Sequence, residues 1–184
     1  TIKRNWWHTS AIFRIIVPMK VFIYGGPQSI CQICTRRLLS EGHETAVFLE
    51  KEEDRTPYQE MGADLFPGSI FQLPELETAL SGCDVAVFLG TDMPEKSNPA
   101  MHDLHYYDRV RRDGTRNFLS AVLRQKVPFS VIVSSTPVYG DHGTQWVEES
   151  HPLHPAPPAQ SFADMEEIVS QRDEFQGVNY VILR

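Results

Sequence analysis

Lys20-Val21-Phe22-Ile23-Tyr24-Gly25-Gly26-Pro27 is the stretch on which the fold turns. Four apolar residues in unbroken succession, Val21 to Tyr24, predict a strand buried on both faces, and Gly25-Gly26-Pro27 predicts the turn that ends it. A helix is expected next, from about Ser29 to Ser40, with Ile30, Ile33, Cys34 and Leu38 on one face and Gly42 just past its end. A strand without polar alternation needs cover on both faces, which points to a parallel sheet between layers of helices.

The rest of the chain repeats the pattern. Thr45 to Leu49 reads as a second strand and, after a polar stretch, Ala63 to Phe66 as a weak third. Pro74 opens a helix carrying Leu76, Ala79 and Leu80. Val85 to Leu89 is a strong fourth strand ending at Gly90. A long helix from about His102 to Lys126 leads into the fifth strand, Phe129 to Val133, and a helix near Ala163 to Arg172 precedes the sixth, Val178 to Leu183. Apolar runs alternating with helices, joined by right-handed crossovers, give an α/β doubly wound parallel sheet of the Rossmann type, with about six strands. In such sheets ligands bind at the carboxyl ends of the strands, where the proline-rich loop His151 to Pro158 also lies.

Residues 1–18 differ from everything after them. They carry Lys3, Arg4 and Arg14, no acid, and two tryptophans, Trp6 and Trp7. Three readings stay open: a targeting or membrane-surface segment, an extra element packed on the domain, or upstream sequence with Met19 as the true start. The domain proper is expected over 19–184. The chain has 17 Lys and Arg against 24 Asp and Glu, net −7; without the three leader cations 14 basic groups face 24 acidic ones, net −10. That balance excludes a general nucleic-acid binder, which would present a basic face. A chain of 184 residues buries on the order of 70% of its unfolded surface and needs no disulfide or metal staple. Three cysteines, Cys31, Cys34 and Cys83, predict no disulfide framework and a reducing, cytoplasmic setting. No apolar run approaches the roughly 20 residues of a membrane span.

From Met19 to Arg184 the sequence resembles the extended short-chain dehydrogenase/reductase family, in its NAD-dependent epimerase/dehydratase branch acting on nucleotide sugars. The resemblance rests on segments in order: Val21 to Leu39 with Gly42-His43-Glu44, Ala79 to Asp84, Gly114-Thr115-Arg116-Asn117, Ser134 to Gly140, and Val181-Ile182-Leu183-Arg184. It implies a dinucleotide whose pyrophosphate rests on a glycine turn and helix N-terminus. The family's G-x-x-G-x-x-G falls on Gly25, Gln28 and Cys31, so one of its three glycines remains, with Gly26 beside it. The cofactor-facing set implied is Gly25, Gly26, Gln28, Ser29, Ile30, Glu50, Gly90 and Ser134. Leu49 holds the position of the ribose-binding acid at the end of the second strand, with Glu50 adjacent; Glu50 suits NAD and would repel the extra phosphate of NADP. Gly68-Ser69-Ile70 replaces a Gly-Asp-Leu whose Asp contacts the adenine. NAD is therefore the implied cofactor of an eroded site, without a metal.

The family's proton transfer uses a Tyr, its pKa lowered by a Lys four residues on, and a Ser or Thr that aligns the same oxygen. Ser135 matches the Ser. The Tyr and Lys positions fall on Pro158 and Phe162, and the relay Asn on Arg111. The expectation is a catalytically inactive relative serving as a nucleotide-binding or protein-interaction scaffold. Its alternatives are an active epimerase or dehydratase and a thiol redox role for the Cys31-x-x-Cys34 pair. Tyr139 belongs to a structural Val-Tyr-Gly motif rather than to substitute chemistry. Arg109, Arg111, Arg112 and Arg116 read as a solvated basic face with Asp108 and Asp113, and His102, His105, His142, His151 and His154 as unliganded. The resemblance also implies a homodimer, or a pseudo-dimer with an active relative, through the helices near 102–126 and 163–172.

Overall fold

The computed structural model describes residues 17–25, 28–51, 54–90, 101–171 and 173–184. Six parallel strands form one sheet: β1 Lys20–Tyr24, β2 Glu44–Leu49, β3 Asp64–Pro67, β4 Val85–Phe88, β5 Phe129–Val133 and β6 Tyr180–Leu183. Their order is β3-β2-β1-β4-β5-β6, so the chain starts in the middle of the sheet, winds outward, and returns to build the other half. β1 is thereby paired on both edges, Phe22 facing Ala46 on β2 and Ala86 on β4.

The two-residue period of a strand divides β1 between two cores. Phe22 and Tyr24 enter one cluster with Phe48, Phe88 and Phe118; Val21 and Ile23 enter the other with Val47, Tyr58 and Cys31. Rings of the first cluster lie 5.3–6.1 Å apart, centroid to centroid, from Phe88 to Phe118 and from Phe118 to Phe22. Burying each aromatic ring contributes roughly 1.5–3 kcal/mol, so this side of β1 anchors the sheet.

Among the described residues six α-helices cover the two faces: α1 Gln28–Ser40, α2 Arg55–Met61, α3 Leu73–Leu80, α4 Met101–Arg109, α5 Thr115–Gln125 and α6 Gln160–Gln171. Three expectations are corrected. The face of α1 turned to the sheet carries Cys31, Cys34, Thr35 and Leu38, while Ile30 and Ile33 are exposed. The polar stretch before β3 contains α2, which Tyr58 holds in the core and Gly62 ends with a left-handed cap. The single long helix is instead α4 and α5 joined by a widened π-helical turn, Val110–Gly114. That turn brings Val110, Arg111, Gly114 and Thr115 all to the inside. Gly114 is small for a packing reason, since a Cβ there would stand 3.0 Å from Ile70. Among the described residues no helix is long and apolar enough to cross a membrane. The leader as far as Ile16 lies outside the described residues.

Candidate functional site

The strand order reverses between β1 and β4, and the carboxyl ends of these two strands make the first half of the site. Leu89 donates its N–H to the Tyr24 carbonyl at 2.8 Å, which holds Gly25 against Gly90. Gly25 has φ +74°, and a Cβ on it would collide with the Gly90 carbonyl oxygen. Position 25 therefore excludes every side chain, by conformation and by contact. Of the other residues expected around the pyrophosphate, Gly26 lies outside the described set, Gln28 is the first residue of α1, and Ser29 and Ile30 are exposed in its first turn.

Glu50 stands just past β2 and supplies the second half. One carboxylate oxygen accepts the Ile70 N–H at 3.0 Å and the other accepts a short hydrogen bond from the Tyr106 hydroxyl of α4. Glu75 of α3 makes a parallel contact, accepting the Ser69 N–H at 2.7 Å, and Gly68 donates to the Leu49 carbonyl at 3.0 Å. Three successive N–H groups of the loop after β3 are thus tied to β2, α3 and the Glu50 turn. A cleft of about 500 Å³ opens over this loop, lined by Glu50, Lys51, Gly68, Ser69, Gln72, Glu75 and Tyr106. Burial first, and then the Glu50 charge, push the phenol pKa of Tyr24 well up; burial and the hydrogen bond to Glu50 do the same for Tyr106. Both phenols stay protonated, which keeps Tyr106 a donor to the carboxylate.

At the carboxyl ends of β5 and β6 the polar groups turn to one another. Ser134, expected to face the cofactor, donates a short hydrogen bond to Glu166 of α6, which is buried. Arg184, just past β6, meets the same carboxylate with Nε at 2.9 Å and Nη2 at 2.6 Å, and its Nη1 donates to the Tyr139 hydroxyl at 2.9 Å. Glu166 raises the Arg184 pKa, chiefly through these hydrogen bonds. Tyr139 is buried and its phenol accepts from a guanidinium already neutralised by Glu166, an arrangement that fixes the turn Thr136–Tyr139. Ser135 precedes that turn, half-buried, with extended backbone and no side-chain hydrogen bond to cap it.

Arg111 departs from its expected place on a solvated face. Its side chain is 4% exposed, with the guanidinium carbon 4.0 Å from the centroid of the Phe162 ring and Nη1 3.2 Å from the Ser161 hydroxyl. The π-helical turn rotates it inward against α6. Burial lowers its pKa, opposed by Asp108 at 3.6 Å. Arg109, Arg112 and Arg116 do form the expected ion pairs, with Asp113, Asp108 and Asp113 respectively. Phe162, at the family's Lys position, is buried beneath Arg111, and Pro158 falls in the short turn Pro157–Ala159 before α6. No local pattern announces Tyr106 or the Glu166 hub, since their partners stand 56 and 32 or 18 residues away. Gly114 within a helical run is the one sequence signal for the inward turn of Arg111.

Cys31 is buried, Cys34 half-buried and Cys83 buried, and none of the three is in a disulfide; burial pushes the Cys83 thiol up to about 11. The rings of His142 and His151 meet edge to face at 5.7 Å. Among the described residues no group of three or more His, Cys, Asp or Glu side chains is placed to hold a metal ion.

A sheet of this order, with a side-chain-free crossing at its switch point and an acid at the end of β2, defines the class: a doubly wound dinucleotide-binding fold. Residues 25–184 match the family described as NAD(P)H-binding, and the chain belongs to that family. Solved structures place the fold among NAD-dependent epimerases and dehydratases of the short-chain dehydrogenase/reductase group. UDP-glucose 4-epimerase from Brucella ovis, in complex with NAD, superposes with TM-score 0.76 at 18% identity over 90% of this chain and 51% of its own. The dTDP-glucose 4,6-dehydratase from Streptomyces venezuelae, with NAD bound, gives 0.76 at 21% identity over 89% and 54%. A short-chain dehydrogenase/reductase superfamily protein from Agrobacterium tumefaciens, also with NAD bound, gives 0.70 at 26% identity over 90% and 48%. The chain thus spans about half the length of these structures. No curated protein sequence matches it.

Proposed function

We propose that this chain binds an adenine nucleotide, NAD foremost, and serves as a nucleotide-dependent scaffold without the proton-transfer chemistry of the epimerases and dehydratases. One observation carries the second half of this reading: the position of the family's lysine is Phe162, and a buried guanidinium covers its ring. With Pro158 at the tyrosine position, neither the phenol nor its ammonium partner is present. Of these three family positions Ser135 alone keeps the family's residue type, and a hydroxyl that aligns an oxygen does not by itself exchange the proton.

The first half is supported by fit. Gly25 and Gly90 leave a bare backbone approach, Glu50 offers carboxylate oxygens at the position for ribose hydroxyls, and the cleft over Gly68 and Ser69 has room for a base. Bound there, NAD would supply a hydride acceptor; this chain's own residues would bind and orient it. Glu50 disfavours NADP by charge. The helices around 102–126 and 163–172 are the proposed dimer face, with Leu104 and Leu123 exposed on the first of them.

Calorimetric titration with NAD, NADP, UDP-glucose and dTDP-glucose tests the reading, alongside assays for epimerisation and dehydration. Saturable NAD binding at least tenfold tighter than NADP, with no turnover, is expected. Turnover that falls on Ser135→Ala would replace the scaffold by an active sugar-nucleotide enzyme, the second reading, which the solved epimerase and dehydratase folds favour. Silence with every dinucleotide would remove nucleotide binding. A strict monomer by light scattering at micromolar concentration would remove the dimer.

A further inference from the structure

We propose that Tyr106 is a specificity-determining residue of the nucleotide cleft: its phenol holds one oxygen of Glu50 and must be displaced by a ribose that brings a pair of hydroxyls. The inference rests on the nucleotide-binding reading above and deepens it. A carboxylate offers about four lone-pair directions on two oxygens. In Glu50 one oxygen carries the Ile70 N–H and the other the Tyr106 O–H, and the buried Tyr24 phenol is hydrogen-bonded to the same carboxylate, so three of the four directions are taken. The Ile70 bond belongs to the backbone of a pinned loop. The Tyr106 bond comes from a side chain that is 41% exposed and lines the open cleft, so it is the one a ligand can replace.

The phenol is not held by Glu50 alone. The Tyr106 ring meets Phe71 edge to face at 6.3 Å and Tyr107 at 5.8 Å, and the Arg109 guanidinium lies 4.6 Å over Phe71. These contacts keep the ring beside the carboxylate whether or not its hydroxyl is bonded. Burial and the Glu50 charge both hold the phenol in its neutral, donating form. A hydroxyl entering alone takes the one direction left open and leaves the phenol bonded. A cis-diol needs a second direction and takes it from Tyr106, the exposed donor. The latch therefore opposes a ribose that brings two hydroxyls and leaves a sugar with a single free hydroxyl untouched.

The test is calorimetry with NAD on the 184-residue chain and three variants: Tyr106→Phe, Glu50→Gln, and the two combined. Removing the hydroxyl while keeping the ring should tighten NAD by about tenfold, the worth of one charge-assisted hydrogen bond no longer displaced. Glu50→Gln should weaken NAD, and in that background Tyr106→Phe should change nothing, because the contact it relieves has lost its charged acceptor. A merely structural Tyr106 would act equally in both backgrounds. Melting curves check that each variant is folded. Unchanged or weaker NAD binding in Tyr106→Phe, with the parent still saturable, overturns the latch and leaves the nucleotide reading standing. Failure of the parent and Tyr106→Phe alike to bind overturns both.

Discussion

Two tyrosines describe the two ends of the site. Tyr106, over β2, donates its hydroxyl to a carboxylate in an open cleft; Tyr139, after β5, accepts from a guanidinium in a buried network. At the first end the charged group, Glu50, keeps acceptor capacity facing solvent. At the second, Glu166 is enclosed by Ser134 and three hydrogen bonds from Arg184, and Arg184 in turn holds Tyr139. Arg111 continues the same habit one helix away, covering Phe162 and reaching Ser161. Polar side chains at the β5–β6 end are spent on each other, so substitutions there should be read in stability. Those at the β1–β2 end should be read in ligand affinity.

The largest effect expected from this contrast is Glu166→Ala. It leaves the buried Ser134 hydroxyl and the part-buried Arg184 guanidinium without their acceptor, a loss of about 3 kcal/mol, the low end for a buried pair because Arg184 keeps some contact with solvent. For a chain of this size that lowers Tm by roughly 6–12 °C. Glu50→Ala, melted beside it, should cost no more than about 2 kcal/mol because its oxygens are solvent-accessible through the cleft. Equal losses at the two ends would break the comparison. Next comes Phe162→Lys, which restores the family's residue type at that position. With Arg111 already 4.0 Å over the ring, the new ammonium enters a site that holds a buried cation, and a destabilisation of about 2–4 kcal/mol is expected. A denaturant midpoint unchanged from the parent would show that this end retains room for a catalytic cation.

How much of this was legible follows from range along the chain. The run Val21 to Tyr24 announced a doubly covered strand because burial on both faces leaves no polar alternation, and β1 lies where that requires. That Glu50 stands just past the second strand was legible, whereas its hold on Ile70 and Tyr106 was not. α1 shows the limit of periodicity: of the expected face Cys34 and Leu38 do meet the sheet, but Ile30 and Ile33 are exposed and Cys31 and Thr35 are buried in their stead. Two apolar-looking stripes lie side by side there, and only the angle of the helix on the sheet chooses between them. Arg111 was misplaced because a regular helix puts it outside and the π-helical turn puts it inside. Tyr106 with Glu50, and Glu166 with Arg184, meet only when the sheet has closed, and nothing local encodes such pairs.

The smallest effect sharpens the contrast in a different observable, phenol ionisation. Burial, the hydrogen bond to Glu50 and its charge all raise the Tyr106 pKa above the ordinary value near 10. A group whose folded pKa lies above its unfolded one favours its protonated form in the native state. Its contribution is whole below the ordinary value and is lost as pH climbs through the raised one. Tyr106→Phe should therefore leave the phenolate absorbance gained below pH ~10.5 unchanged and remove one phenol from the later rise. Glu50→Gln should move that phenol earlier, and Tyr24 with it, since it removes the charge that opposes ionisation of both and weakens the acceptor. An early-titrating phenol lost in Tyr106→Phe would mean that Tyr106 does not hold Glu50 in solution. The open end of the site would then differ from the buried end only in exposure, and not in having a charged acceptor kept ready by a neutral donor.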